Sequence, residues 1–144
     1  METILTKADE ARIVEAIKRS EKRTSGEIRV HIENKCKNDA LERAEEVFAK
    51  LDMHKTDQQN GVIIYLAVKD HKVAIWGDEG IHSQVGQAYW DDIVAQLIYR
   101  FKHKKYSKGL VEAIVSIGDQ LSELFPYERD DVNELSDDIS FHKN

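Results

Sequence analysis

This 144-residue sequence is poor in three diagnostic features: it has one cysteine, one proline and no long apolar run. A lone Cys36 can form neither an intramolecular disulfide nor a thiolate metal cluster. Without a stretch of about 18 apolar residues, no transmembrane helix is expected. The opening Met1-Glu2-Thr3-Ile4-Leu5 does not read as a signal peptide, so the cytoplasm is the expected location. A basic excess is also missing. The formal net charge is −6, which offers no footprint for nucleic acid. Walker, Gly-x-Gly-x-x-Gly, Gly-x-Ser-x-Gly and His-Glu-x-x-His patterns do not occur. Glu42 stands where a cysteine-based phosphatase loop starting at Cys36 would carry arginine.

What is present is a soluble-type mixture, 41% hydrophobic and 33% charged, long enough for one domain with a real core. Residues 1–126 are expected to form that domain. Residues 127–144 hold six acids and two bases, and their composition predicts a disordered acidic tail. Thr6 and Asp9 read as a capping box, followed by Ala11, Val14 and Ile17 at helical spacing. Ile28, Val30 and Ile32 alternate with Arg29, His31 and Glu33, as in a half-buried strand. Asp39 caps a second helix with the stripe Leu41, Ala44, Val47, Phe48 and Leu51. The nearly continuous apolar run at 61–68 predicts a central strand, and 73–76 a third strand after a tight turn. Residues 81–86 read as a loop or one short turn. Two further helices follow, carrying Trp90, Ile93 and Leu97, then Leu110, Ile114 and Leu121, and Pro126 stops the last. The order α-β-α-β-β-α-α predicts an α/β/α sandwich, a small mixed sheet with helices on both faces.

A helical crossover makes the first two strands parallel, and a tight turn makes the third antiparallel. The starts of strands one and two and the end of strand three then share one edge of the sheet. There the sequence places Thr24-Ser25-Gly26-Glu27, then Asp57-Gln58-Gln59-Asn60-Gly61, then Gly77-Asp78-Glu79-Gly80. Oxygen donors without cysteine suit Ca²⁺ or Mg²⁺ rather than zinc. Asp78 and Glu79 lead the expected ligands, with Asp57, Asn60, Glu27 and Asp91 behind them. Gly77, Gly80, Gly61 and His82 would line the site. The competing reading is a set of solvated turn carboxylates, with Asp91 and Asp92 complementing a helix dipole.

These segments resemble the TPM domain family, whose name joins a thylakoid lumen protein, a photosystem II repair protein and a levamisole-receptor modulator. The resemblance rests on Thr24-Ser25-Gly26-Glu27-Ile28, Asn60-Gly61-Val62, Gly77-Asp78-Glu79-Gly80-Ile81, Tyr106-Ser107-Lys108-Gly109-Leu110, Ile117-Gly118 and Phe125-Pro126. It covers residues 6–126. It implies an α/β/α sandwich, a divalent cation at the sheet edge and the acid phosphatase activity ascribed to plant members. Lys104 departs from the pattern, since many relatives carry glycine there. Many relatives also carry a signal peptide and a membrane helix, and neither is seen here. Three functions follow as expectations: a cation-binding interaction module, a metal-assisted phosphatase at the same edge, or a scaffold without metal. Partner and oligomeric state are left open.

Overall fold

A computed structural model of the chain describes residues 4–127 and 139–144. Helix α1 (Lys7–Glu21) starts at the expected capping box: the Thr6 hydroxyl accepts from the Asp9 N–H at 3.0 Å, and the Asp9 carboxylate accepts from the Thr6 N–H at 2.9 Å. Strand β1 (Glu27–Glu33) leads into α2 (Ala40–Lys50), where the Asp39 carboxylate accepts from the Glu42 N–H. A 3₁₀ turn at Met53–Lys55 precedes β2 (Gly61–Ala67) and β3 (Lys72–Gly77). Helices α3 (Glu79–Val85), α4 (Gln87–Lys102) and α5 (Tyr106–Leu124) follow, and β4 (Ser140–His142) ends the chain.

The sheet order is β3-β2-β1-β4, with β1 parallel to β2 and β4 and β2 antiparallel to β3. Strand β2 is buried along its whole length because both its faces are covered. Val62, Ile64 and Leu66 join α1, α4 and α5 in one core, while Ile63, Tyr65 and Ala67 join α2 in the other. The three-layer α/β/α expectation holds. Helices α1 and α5 approach closely at Gly118, where a Cβ would fall within van der Waals distance of Ser20, so only glycine fits.

Two local expectations need correction. Residues 81–86 are neither a loop nor one short turn: the helix α3 occupies Glu79–Val85, capped by Asp78, whose carbonyl accepts from the Ile81 and His82 N–H groups. Residues 128–138 of the expected acidic tail lie outside the described residues. Its last residues, however, form β4 and belong to the sheet. Asn144 locks that end, its side-chain oxygen accepting from the N–H groups of Asn34 and Lys35 at 2.8 and 3.0 Å. Composition averaged over 127–144 is dominated by the acids of 128–138. It therefore hides a terminal segment that satisfies the open edge of β1.

Strand β1 also departs from a half-buried strand, because its polar face is covered too. Glu33 is fully buried there and gathers three partners. Arg43 of α2 donates two hydrogen bonds of 2.9 Å to its carboxylate, the Tyr65 hydroxyl of β2 donates a third, and His31 Nε2 lies 3.2 Å away. His31 Nδ1 in turn meets the Ser140 hydroxyl of β4 at 3.0 Å. Four elements are thus tied through one carboxylate. Burial alone would raise the Glu33 pKa, but the hydrogen bonds from Arg43, Tyr65 and His31 outweigh it and hold the value down to about 2. Burial, reinforced by the Glu33 charge, raises the Tyr65 pKa, and burial lowers that of His31 against the pull of Glu33.

A depressed folded-state pKa stabilises the fold above the unfolded value and loses that contribution as the carboxylate protonates. Stability is expected to fall by about 3 kcal/mol as pH drops from about 4.5 to about 2. Denaturant melts of wild type and Glu33→Gln across that window check this. The variant should be less stable at neutral pH and should show a flatter acid limb. An equal acid slope in both proteins would assign the loss to other carboxylates.

Candidate functional site

The parallel register Glu27↔Gly61 and the antiparallel register Val62↔Gly77 bring the three polar segments to one sheet edge, as strand order predicts. Backbone hydrogen bonds stitch them together. The Asp78 N–H donates to the Gly61 carbonyl at 2.9 Å, and the Glu27 N–H to the Asn60 carbonyl at 3.4 Å. Ser25 Oγ accepts from Gln58 Nε2 at 3.1 Å and from Asn60 Nδ2 at 3.2 Å. The 56–59 turn closes with Gln59 at φ 51°, in the left-handed region.

Gly80 then packs directly on that turn. A Cβ there would sit 2.6 Å from the Gln59 carbonyl oxygen and nearer still to that of Gln58, so no other residue fits without moving the turn. Two backbone carbonyl oxygens therefore converge on the start of α3. Neither accepts a backbone hydrogen bond from another described residue. One residue further on, Asn60 is 1% exposed, and its Oδ1 has no hydrogen-bond partner among the described residues. A buried acceptor left unsatisfied costs roughly 1–3 kcal/mol, and a donor or a cation beside it would relieve that cost.

The predicted ligands divide at this point. Asn60 and Asp78 lie in the segments that meet, although one Asp78 oxygen is already used as the α3 cap, accepting from the Glu79 N–H at 2.8 Å. Glu79 and Asp57 sit exposed on either side, on the first turn of α3 and on the 56–59 turn. Glu27 is drawn away. Its register partner Gly61 faces Phe48 of α2, so Glu27 points to the α2 face of the sheet. Asp91 is exposed and accepts from Gln87 of its own helix at 2.9 Å. Because α4 starts at Gln87, Asp91 and Asp92 lie beyond its first turn, where a dipole contribution has faded. No group of three or more His, Cys, Asp or Glu side chains that could hold a metal occurs among the described residues. A cation here would rest on carbonyl and amide oxygens with one or two carboxylates.

The lining residues have clear roles. Gly77 lies under Trp90, and Trp90 Nε1 donates to His82 Nδ1 at 3.0 Å. That bond commits His82 Nδ1 as an acceptor and makes His82 a positioning residue for the indole. Helix α3 is what aims His82 at Trp90, and a loop reading of 81–86 could not reveal the pair.

The Glu33 cluster was not foreseen as a site. It borders a cavity of about 450 Å³ at the C-terminal end of β1, also lined by Cys36, Arg43 and Asn144. Its signal in the sequence is the run of ionisable residues Glu27, Arg29, His31 and Glu33 on one face of a strand whose other face is apolar. Recognising it needs β4, which completes the cover.

A sequence profile described as TPM domain matches residues 1–120. No curated protein matches the chain. Among solved structures, the chain is similar to the NMR structure of BA42 from the psychrophilic bacterium Bizionia argentinensis. The two are 42% identical with a TM-score of 0.89, over 99% of this chain and 98% of that one. The N-terminal domain of a P. gingivalis protein shares the fold at 15% identity and TM-score 0.70, over 83% of this chain and 78% of that one. The N-terminal domain of cg2496 from Corynebacterium glutamicum does so at 14% and 0.61, over 90% and 81%. Family profile, overall fold and the order of the glycine-bearing segments agree: the chain belongs to the TPM domain family.

Proposed function

We propose that this TPM domain is a divalent-cation-binding interaction module, with the cation held where the 57–60 turn meets the start of α3. The observation that carries the reading is Asn60 Oδ1, buried and unpartnered among the described residues, in the same turn as the Gln58 and Gln59 carbonyls that converge on Gly80. An all-oxygen donor set of this kind suits Ca²⁺ or Mg²⁺. Asp78 would contribute the negative charge, with Glu79 and Asp57 at the rim. The ion would supply a cross-link between the β1, β2 and β3 ends and set the position of α3 for a partner. A metal-assisted phosphatase at the same edge is the alternative, and it uses the same residues.

Titration of the full chain with Ca²⁺ and Mg²⁺, followed by backbone NMR, is expected to shift residues 57–61 and 78–80 saturably. Asp78→Asn keeps the helix cap, because asparagine also accepts from a backbone N–H. It should leave apo stability within about 0.5 kcal/mol and weaken cation affinity roughly tenfold. No shift up to millimolar cation, or equal affinity in the variant, would contradict the module. Phosphomonoester turnover that falls in step with cation affinity in Asp78→Asn would instead assign the phosphatase.

Gly80→Ala gives a second handle. A methyl group driven against two backbone carbonyls should cost about 2 kcal/mol or more of stability and displace the 58–59 carbonyls. Thermal melts with and without Ca²⁺ check this. The cation-induced rise in melting temperature seen in wild type should be absent from the variant.

A further inference from the structure

At the end of the sheet opposite the glycine turn, Leu66, Val68 and Val73 of the β2–β3 end and Phe101 of α4 floor a cavity of about 630 Å³. That volume lies within the range of small-molecule sites. Its rim carries Lys69, Lys102, Lys104 and His71, and no acidic residue lines it. None of these four side chains makes a hydrogen bond or ion pair with any described residue. The chain as a whole is acidic, at −6, so four ionisable bases gathered at one apolar opening run against its average.

The backbone adds an independent sign. His71 and Lys104 sit at φ 53° and 59°, in the left-handed region that disfavours a residue with a Cβ. They close the β2–β3 turn and the α4–α5 turn, positions where glycine would be relaxed. This chain instead holds a basic side chain at each, and both face the same cavity. Strain kept at two turns around one opening points to what those side chains do.

We propose that this cavity binds an anionic single-chain amphiphile, a carboxylate with an apolar tail of about eight to twelve carbons. The tail lies on Leu66, Val68, Val73 and Phe101, and the headgroup meets Lys69, Lys102 and Lys104. This site is separate from the cation edge and does not rest on it.

The test is an NMR titration of the full chain with octanoate, with 1-octanol as the uncharged arm and phosphatidylglycerol vesicles as the membrane arm. Octanoate should shift Leu66, Val68, Val73 and Phe101 saturably, with a dissociation constant of about 1 mM or tighter. Octanol should bind several-fold more weakly, and added salt should narrow the gap. Lys104→Gly should hold or raise the melting temperature, by up to about 4 °C. It should nonetheless weaken octanoate about threefold, an effect that a merely structural lysine would not produce. Ile98→Glu, on the exposed side of the same cavity, should abolish binding with the fold intact. No saturable shift with octanoate, equal affinity for octanol, or unchanged affinity in Lys104→Gly would overturn the assignment. Vesicle binding without octanoate binding would overturn it in favour of a membrane-facing surface.

Discussion

The register of β1 against β2, Glu27 opposite Gly61 and Glu33 opposite Ala67, fixes where the distinctive chemistry of this protein lies. A parallel pair has two unlike ends. At one, the strand starts and the end of β3 bring three polar, glycine-bearing turns into contact. At the other, the end of β1 is paired by β4 and Asn144, and the β2–β3 end presents an apolar floor beside turns that reverse direction. A slip of one residue would exchange the two faces of every strand, moving Glu33 into the apolar core and Val62 or Ile64 out of it. The alternation of β1 forbids that slip, since Ile28, Val30 and Ile32 must face the large core while Glu33 must reach Arg43 and Tyr65 on the other face.

The Glu33 cluster shows how the sheet tolerates charge inside. Burying a carboxylate is costly, and a lone buried ion pair seldom adds net stability. Here the carboxylate accepts from Arg43 and Tyr65 and also faces His31, and those three come from three different elements. Removing one partner would leave the rest exposed to the desolvation cost. The cluster therefore specifies the relative placement of α2, β1 and β2 as well as stabilising the charged carboxylate. Through Ser140 it extends that specification to β4.

Much of this was legible in the sequence. The Thr6–Asp9 box, the Asp39 cap, the double-faced β2 and the strand directions follow from local spacing and chain connectivity, and each is in the structure. The meeting of the three edge segments followed from topology alone. What escaped were features that depend on distant residues. Helix α3 is short and holds a glycine pressed against another turn, so its own propensity is weak. Strand β4 exists because β1 offers an edge, which composition does not see. Glu27 and Asp91 were placed at the edge by proximity along the chain, but side-chain direction, set by strand parity and by the true start of α4, takes them away. The Glu33 cluster joins residues up to 109 positions apart through His31 and Ser140, beyond the reach of any local pattern.

The central claim is that the 57–60 turn and the start of α3 form one oxygen-lined cation site. A crystal of the full chain soaked with a lanthanide, a hard cation that substitutes for Ca²⁺, tests it by anomalous scattering. The account predicts a single strong peak within coordination distance of Asn60 Oδ1 and the Gln58 or Gln59 carbonyl, weaker in Asp78→Asn crystals soaked below saturation. Peaks confined to exposed carboxylates elsewhere, with this edge empty, would contradict it.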